Sequence, residues 1–134
     1  MSLLIRGGEV AAEEGAPVRG DVLVDSGIIR EVGVNLEAPE GTREVDAGGK
    51  IVAPAMFDAH VHFREPGQEH KEDIAHGTEA AINGGVTGVV MMPNTSPAID
   101  TSAVVRTVLE KAREVSRIPV YTSGCITKGR AGVE

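Results

Sequence analysis

The chain has 134 residues, the length of one ordinary domain, and is 41% hydrophobic, which excludes a disordered polymer. Its net charge of −7 and pI near 5.1 argue against nucleic acid as the main partner, because phosphate binding needs a basic face. The single cysteine, Cys125, excludes an intramolecular disulfide and fits a reducing, cytoplasmic compartment; no run approaches the ~20 apolar residues of a membrane span.

Residues 1–53 read as a small β module, expected to be antiparallel and sandwich-like. Leu3-Leu4-Ile5 and Glu9-Val10-Ala11 are short strands on either side of Gly7-Gly8. Asp21 to Val24 and Ile28 to Val32 flank Ser26-Gly27, a hairpin turn. Arg43 to Asp46 and Lys50 to Val52 are further strands around Ala47-Gly48-Gly49. Aromatic residues are only 2% of the chain, so its cores must be built from aliphatic side chains and glycine.

From Pro54 the pattern changes. An apolar run leads into Asp58-Ala59-His60-Val61-His62-Phe63-Arg64-Glu65-Pro66-Gly67. Between His70 and Asn83 the residues Ile74, Gly77, Thr78, Ala81 and Ile82 recur at helical spacing, and Asn83-Gly84-Gly85 ends the helix. Val86 to Met92 is a continuous apolar run, the mark of a strand covered on both faces. Asp100-Thr101-Ser102 offers N-caps to a second helix with Val104, Val105, Val108, Leu109 and Ala112 on one side. Ile118 to Ser123 is a third strand and Gly124 onward a loop. The order over 54–134 is therefore β-α-β-α-β, which implies parallel strands with right-handed crossovers and functional residues at the strands' carboxyl ends.

Two histidines one residue apart in a strand point to one face. His60 and His62 are therefore candidate ligands of a metal such as zinc, and Arg64 continues the alternation as a fixed cation. Asn94 stands at the end of the next strand. His70 and His76 read as surface residues of the first helix, Glu65 as a turn residue, and Asp58 as a group that orients backbone or a neighbour.

The string from Asp58 to Gly67 resembles the dihydroorotases of the amidohydrolase superfamily, in their longer bacterial form. The resemblance continues through Lys71-Glu72-Asp73-Ile74, through Gly84-Gly85-Val86-Thr87 to Met92-Pro93-Asn94-Thr95-Ser96-Pro97, and at Thr127-Lys128-Gly129. Pro54-Ala55-Met56 departs from it, standing where the family more often has Pro-Gly before an aliphatic residue. The resemblance implies a (β/α)8, TIM-type barrel preceded by the small β module. It implies that His60 and His62 bind one or two zinc ions. It implies that His62, Arg64 and Asn94 contact the substrate, with Arg64 gripping its carboxylate. The reaction implied is the interconversion of N-carbamoyl-L-aspartate and dihydroorotate in pyrimidine biosynthesis.

Allantoinases and dihydropyrimidinases share the two histidines, but their substrates carry no ring carboxylate to occupy Arg64. A closed barrel needs eight βα units and ~250 residues; about two and a half units are present. The catalytic base and the remaining ligands are expected outside this chain, which reads as an N-terminal portion associating with the remaining chain or with further copies. A truncated, non-catalytic binding module is the alternative.

Overall fold

The computed structural model describes residues 1–133 and divides into two compact units, Met1–Pro54 and Ala55–Glu134.

In the first unit, β1 (Ser2–Val10), β2 (Val18–Asp25) and β3 (Ile28–Gly33) form an antiparallel meander. Ser26 and Gly27, at φ of 52° and 77°, make the tight turn between β2 and β3. The two strands expected around Gly7-Gly8 are one strand, bent where its pairing with β2 slips between Ile5 and Gly8. Gly7 takes φ of 70° there, open to glycine at no steric cost. The bend lets one strand serve two partners. β4 (Arg43–Asp46) pairs with the first half of β1 and β5 (Ile51–Val52) with the second, both parallel. The expectation of an antiparallel, sandwich-like module is corrected accordingly: the described residues of this unit form a single mixed sheet of five strands.

Leu4, Val22, Leu36 and Ala47 are buried in this unit, together with Asp21. The Asp21 carboxylate accepts from the Gly7 N–H at 2.7 Å, the Leu36 N–H at 3.0 Å and the Arg6 guanidinium at 3.3 Å. The Gly7 N–H foremost holds its carboxyl below the ordinary value, against the opposing effect of burial.

The second unit holds a three-stranded parallel sheet in the order β6 (Met56–Val61), β7 (Val86–Met91), β8 (Val120–Thr122). Helix α1 (Ile74–Asn83) connects β6 to β7, and α2 (Ser102–Val115) connects β7 to β8. The first helix begins later than its sequence pattern suggests, because Asp73 caps it by accepting the His76 N–H at 2.7 Å. It ends at Gly84, followed by Gly85 at φ of 81°. Thr101 caps α2. The third strand is shorter than expected, since Pro119 has no N–H to pair.

The core of this unit lies on the helix side of the sheet. Phe63, Ile74, Val89, Met91, Ile99, Val108 and Ala112 form one buried cluster, with Val61 and Val120 packed against it. Gly77 admits the Phe63 ring, since a Cβ there would overlap it. Covering on both faces, expected for the central strand, is seen on one. On the other, Phe57 and Tyr121 stand 55% and 54% exposed, their ring centroids 6.0 Å apart. Gly88 makes room for Phe57, whose ring would lie 2.7 Å from a Cβ at that position.

No helix among the described residues is long and apolar enough to cross a membrane.

Candidate functional site

The site forms where β6 and β7 end. Alternation along the chain sorts the side chains: Val61 and Phe63 turn into the helix-side core, while His60 and His62 are exposed. Their ring centroids lie 5.1 Å apart at 60°. The sequence thus brings the two imidazoles together, although only His60 lies within the strand.

Asp58 contributes to this placement. Its carboxylate accepts the His60 N–H at 3.0 Å, and the pairing of β6 with β7 slips between Asp58 and Val61. The reading of Asp58 as a residue that orients backbone fits this contact. The extra residue re-aims the strand end, as bulges near functional sites do.

His62 reaches across to the next strand. Its Nδ1 lies 2.9 Å from Oδ1 of Asn94, a residue 32 positions further along the chain. The two strand ends are also joined through backbone. The Met92 N–H donates to Val61 O at 2.8 Å, and the Ser96 N–H to Pro66 O at 2.9 Å. Gly67 sits at φ of 92° directly against Ser96, and any Cβ there would fall on the Ser96 carbonyl oxygen. Thr95 is buried, its hydroxyl donating to Pro97 O at 2.7 Å, and the wholly buried Ile99 anchors the far end of the loop.

Arg64 is half-buried just beyond His62. Its N–H donates to Glu72 O at 3.2 Å, and its carbonyl accepts from the Gln68 N–H at 3.0 Å. Its guanidinium makes no hydrogen bond or ion pair among the described residues. Several other polar groups of this loop have structural partners. The Glu65 carboxylate accepts the Ile74 N–H at 3.0 Å, at the start of α1. The Gly67 N–H, 2.6 Å away, holds the Glu69 carboxyl below its usual range. His76 is exposed on α1, 2.8 Å from Glu72 Oε1, and His70 precedes the helix.

Two imidazoles fit part of a zinc site. A catalytic zinc takes three protein ligands and leaves one position open, and no group of three His, Cys, Asp or Glu among the described residues could hold a metal. Sequence spacing missed the Asn94–His62 contact and the seating of Gly67 on Ser96. Both join loops thirty residues apart, and no local pattern encodes them.

A model of the dihydro-orotase-like family matches residues 49–134. The dihydroorotase of Geobacter sp. (strain M21) is 49% identical over 133 residues, which are 98% of this chain and 31% of that protein. The dihydroorotase of Carboxydothermus hydrogenoformans is 44% identical over 135 residues, covering all of this chain and again 31% of the relative. Among solved structures, dihydropyrimidinase from Brevibacillus agri superposes with a TM-score of 0.79 at 29% identity, over 94% of this chain and 27% of that one. L-hydantoinase from Arthrobacter aurescens reaches 0.82 at 24% identity, over 91% and 27%, a likeness of fold. The chain spans just under a third of the length of the curated relatives it matches. The α/β unit bearing the paired histidines lies wholly within the matched segment, and the chain belongs to the dihydro-orotase-like family.

Proposed function

We propose that this chain forms part of a zinc-dependent dihydroorotase, a cyclic amidohydrolase that interconverts N-carbamoyl-L-aspartate and dihydroorotate. The observation that carries the reading is the meeting of His60, His62 and Asn94 at the carboxyl ends of β6 and β7; Arg64, two residues beyond His62, has a guanidinium without a partner among the described residues.

His60 and His62 would hold the metal. Zinc, when bound, supplies a Lewis acid for the amide carbonyl and acidifies water toward a pKa of ~7. Arg64 grips the substrate carboxylate, because a planar guanidinium can meet both oxygens. Asn94 orients the substrate from the neighbouring loop, so that the amide carbon faces the metal. The proton shuttle and the remaining ligands come from outside this chain, as does the rest of a (β/α)8 barrel. An open groove of about 450 Å³ beside β8, with Leu109, Ala112, Ile118 and Val120 among its lining together with Arg113 and Arg117, leaves room for a further segment there.

The structural likeness to dihydropyrimidinases makes them the competing reading. Arg64 separates the two, since dihydrouracil and hydantoin carry no carboxylate. Turnover of dihydroorotate and dihydrouracil by the intact, zinc-loaded protein is the test. Dihydroorotate should be the better substrate, and Arg64→Met should raise its KM by roughly 10–100-fold, the loss of a charge-assisted pair. Faster turnover of dihydrouracil, unaffected by Arg64→Met, would sink the assignment. The 134-residue chain alone should show no turnover with zinc.

A further inference from the structure

We propose that Asn94 is a positioning residue for His62: its amide oxygen fixes the imidazole in the Nδ1–H form and leaves the Nε2 lone pair for a metal. The proposal rests on the functional reading above and adds a second role to a residue read there as a substrate contact.

The geometry admits one donor. Oδ1 of Asn94 lies 2.9 Å from Nδ1 of His62. An amide oxygen only accepts, so the proton of this hydrogen bond belongs to Nδ1. A neutral imidazole carries one N–H, which leaves Nε2 bare. The hydrogen bond at one ring nitrogen thus selects which nitrogen can ligate.

The support is also stiff. His62 lies beyond the end of β6 with its ring exposed, and its orientation is set by what it touches. Asn94 is half-buried between Pro93 and the buried Thr95, on the loop pinned by the Met92 and Ser96 N–H bonds and by Ile99. A residue on a braced loop therefore orients one on a strand end. The Asn94 side-chain N–H2 group makes no hydrogen bond among the described residues. One amide can serve both tasks, with its oxygen on His62 and its nitrogen toward a substrate oxygen.

The two roles separate by substitution. Asn94→Asp keeps an acceptor for Nδ1–H and loses the donor to substrate. Asn94→Ala loses both. The tautomer is read on the metal-free, intact protein with 15N-labelled histidine, by long-range 1H–15N correlations at pH 8. Zinc affinity is read by competition with a chelator, and KM with dihydroorotate. In the wild type and Asn94→Asp, His62 should be in the Nδ1–H form. In Asn94→Ala the two tautomers should redistribute and zinc affinity should fall about 10–100-fold, the usual cost of losing such a partner. Asn94→Asp should keep zinc and raise KM. An Nε2–H tautomer at His62 in the wild type overturns the proposal, even if Asn94→Ala fails to fold. So does Asn94→Ala with unchanged tautomer and zinc affinity and a raised KM alone, which would make Asn94 a substrate contact only. Wild-type protein that shows the Nδ1–H form but never turns over dihydroorotate would overturn the functional reading and leave the positioning role standing.

Discussion

The two faces of the β6-β7-β8 sheet and of the extended chain just beyond β6 differ in almost every physical respect. On the helix side Phe63, Val89 and Met91 are 5% exposed or less, packed among Ile74, Ile99 and Val108. On the other side Phe57, His60, His62 and Tyr121 are exposed, and the nearest polar contacts run between loops rather than into a core. One face supplies the free energy that holds the strands in place, and the other presents the polar groups to which the proposed chemistry falls. Period-two alternation is what allows neighbouring residues such as His62 and Phe63 to take opposite assignments.

That division is sharpest at adjacent positions. Phe63→Ala removes a ring packed against Gly77 in the helix-side core and should cost about 3–5 kcal/mol of unfolding free energy. His62→Ala, one residue away, should cost about 0.5 kcal/mol or less, as surface substitutions usually do. Denaturant titration of both variants checks the pair. Equal destabilisation would show that the two faces are not energetically distinct.

The loops above the strands test whether the chemical face depends on backbone contacts of its own. Gly67→Ala forces a side chain into a left-handed position and onto the Ser96 carbonyl. The strain should be about 1–3 kcal/mol, and separation of the two loops should lengthen the His62–Asn94 contact. Thermal unfolding together with the His62 ring 15N shifts reads both effects. Wild-type stability would mean that the loops part freely and that their junction does not brace the site.

How much of this was legible in the sequence follows from the range of each interaction. The parallel βαβαβ order, the cap at Thr101 and the convergence of His60 with His62 arise from spacings of a few residues, and a pattern reader meets them directly; the cap at Asp73, which starts α1 later than its pattern suggests, was not read. The single mixed sheet of the first unit was not legible. It depends on β1 bending at Gly7 so that β4 and β5, some forty residues away, can both pair with it. A Gly-Gly pair between short apolar runs reads equally well as a break between strands. The apolar run of β7 marks a strand that can be covered on both faces, and the helices of this chain cover one of them. Family resemblance singled out Asn94, but its contact with His62 was not legible, because it joins two loops 32 residues apart.

The smallest effect concerns an ion pair that belongs to neither face. His76 stands on the outer side of α1, 78% exposed, with Glu72 Oε1 2.8 Å from its Nδ1. The hydrogen bond to Glu72 raises its pKa above the ordinary 6.5, with the charges of Glu72 and Asp73 adding to the effect. A raised pKa means that the folded state holds the proton more tightly than the unfolded chain does. The stabilisation is therefore fully present below about pH 6.5 and is lost as pH rises through the higher, folded value. Solvent and salt screen so exposed a pair, which keeps the contribution small. Unfolding free energies at pH 5.5 and pH 8.5 should differ less in His76→Gln than in the wild type, and added salt should shrink the gap between them. An identical pH dependence in the two proteins would mean that the contact contributes nothing in solution, leaving the stability of α1 to its caps and to the Ile74, Gly77 and Thr78 face it buries.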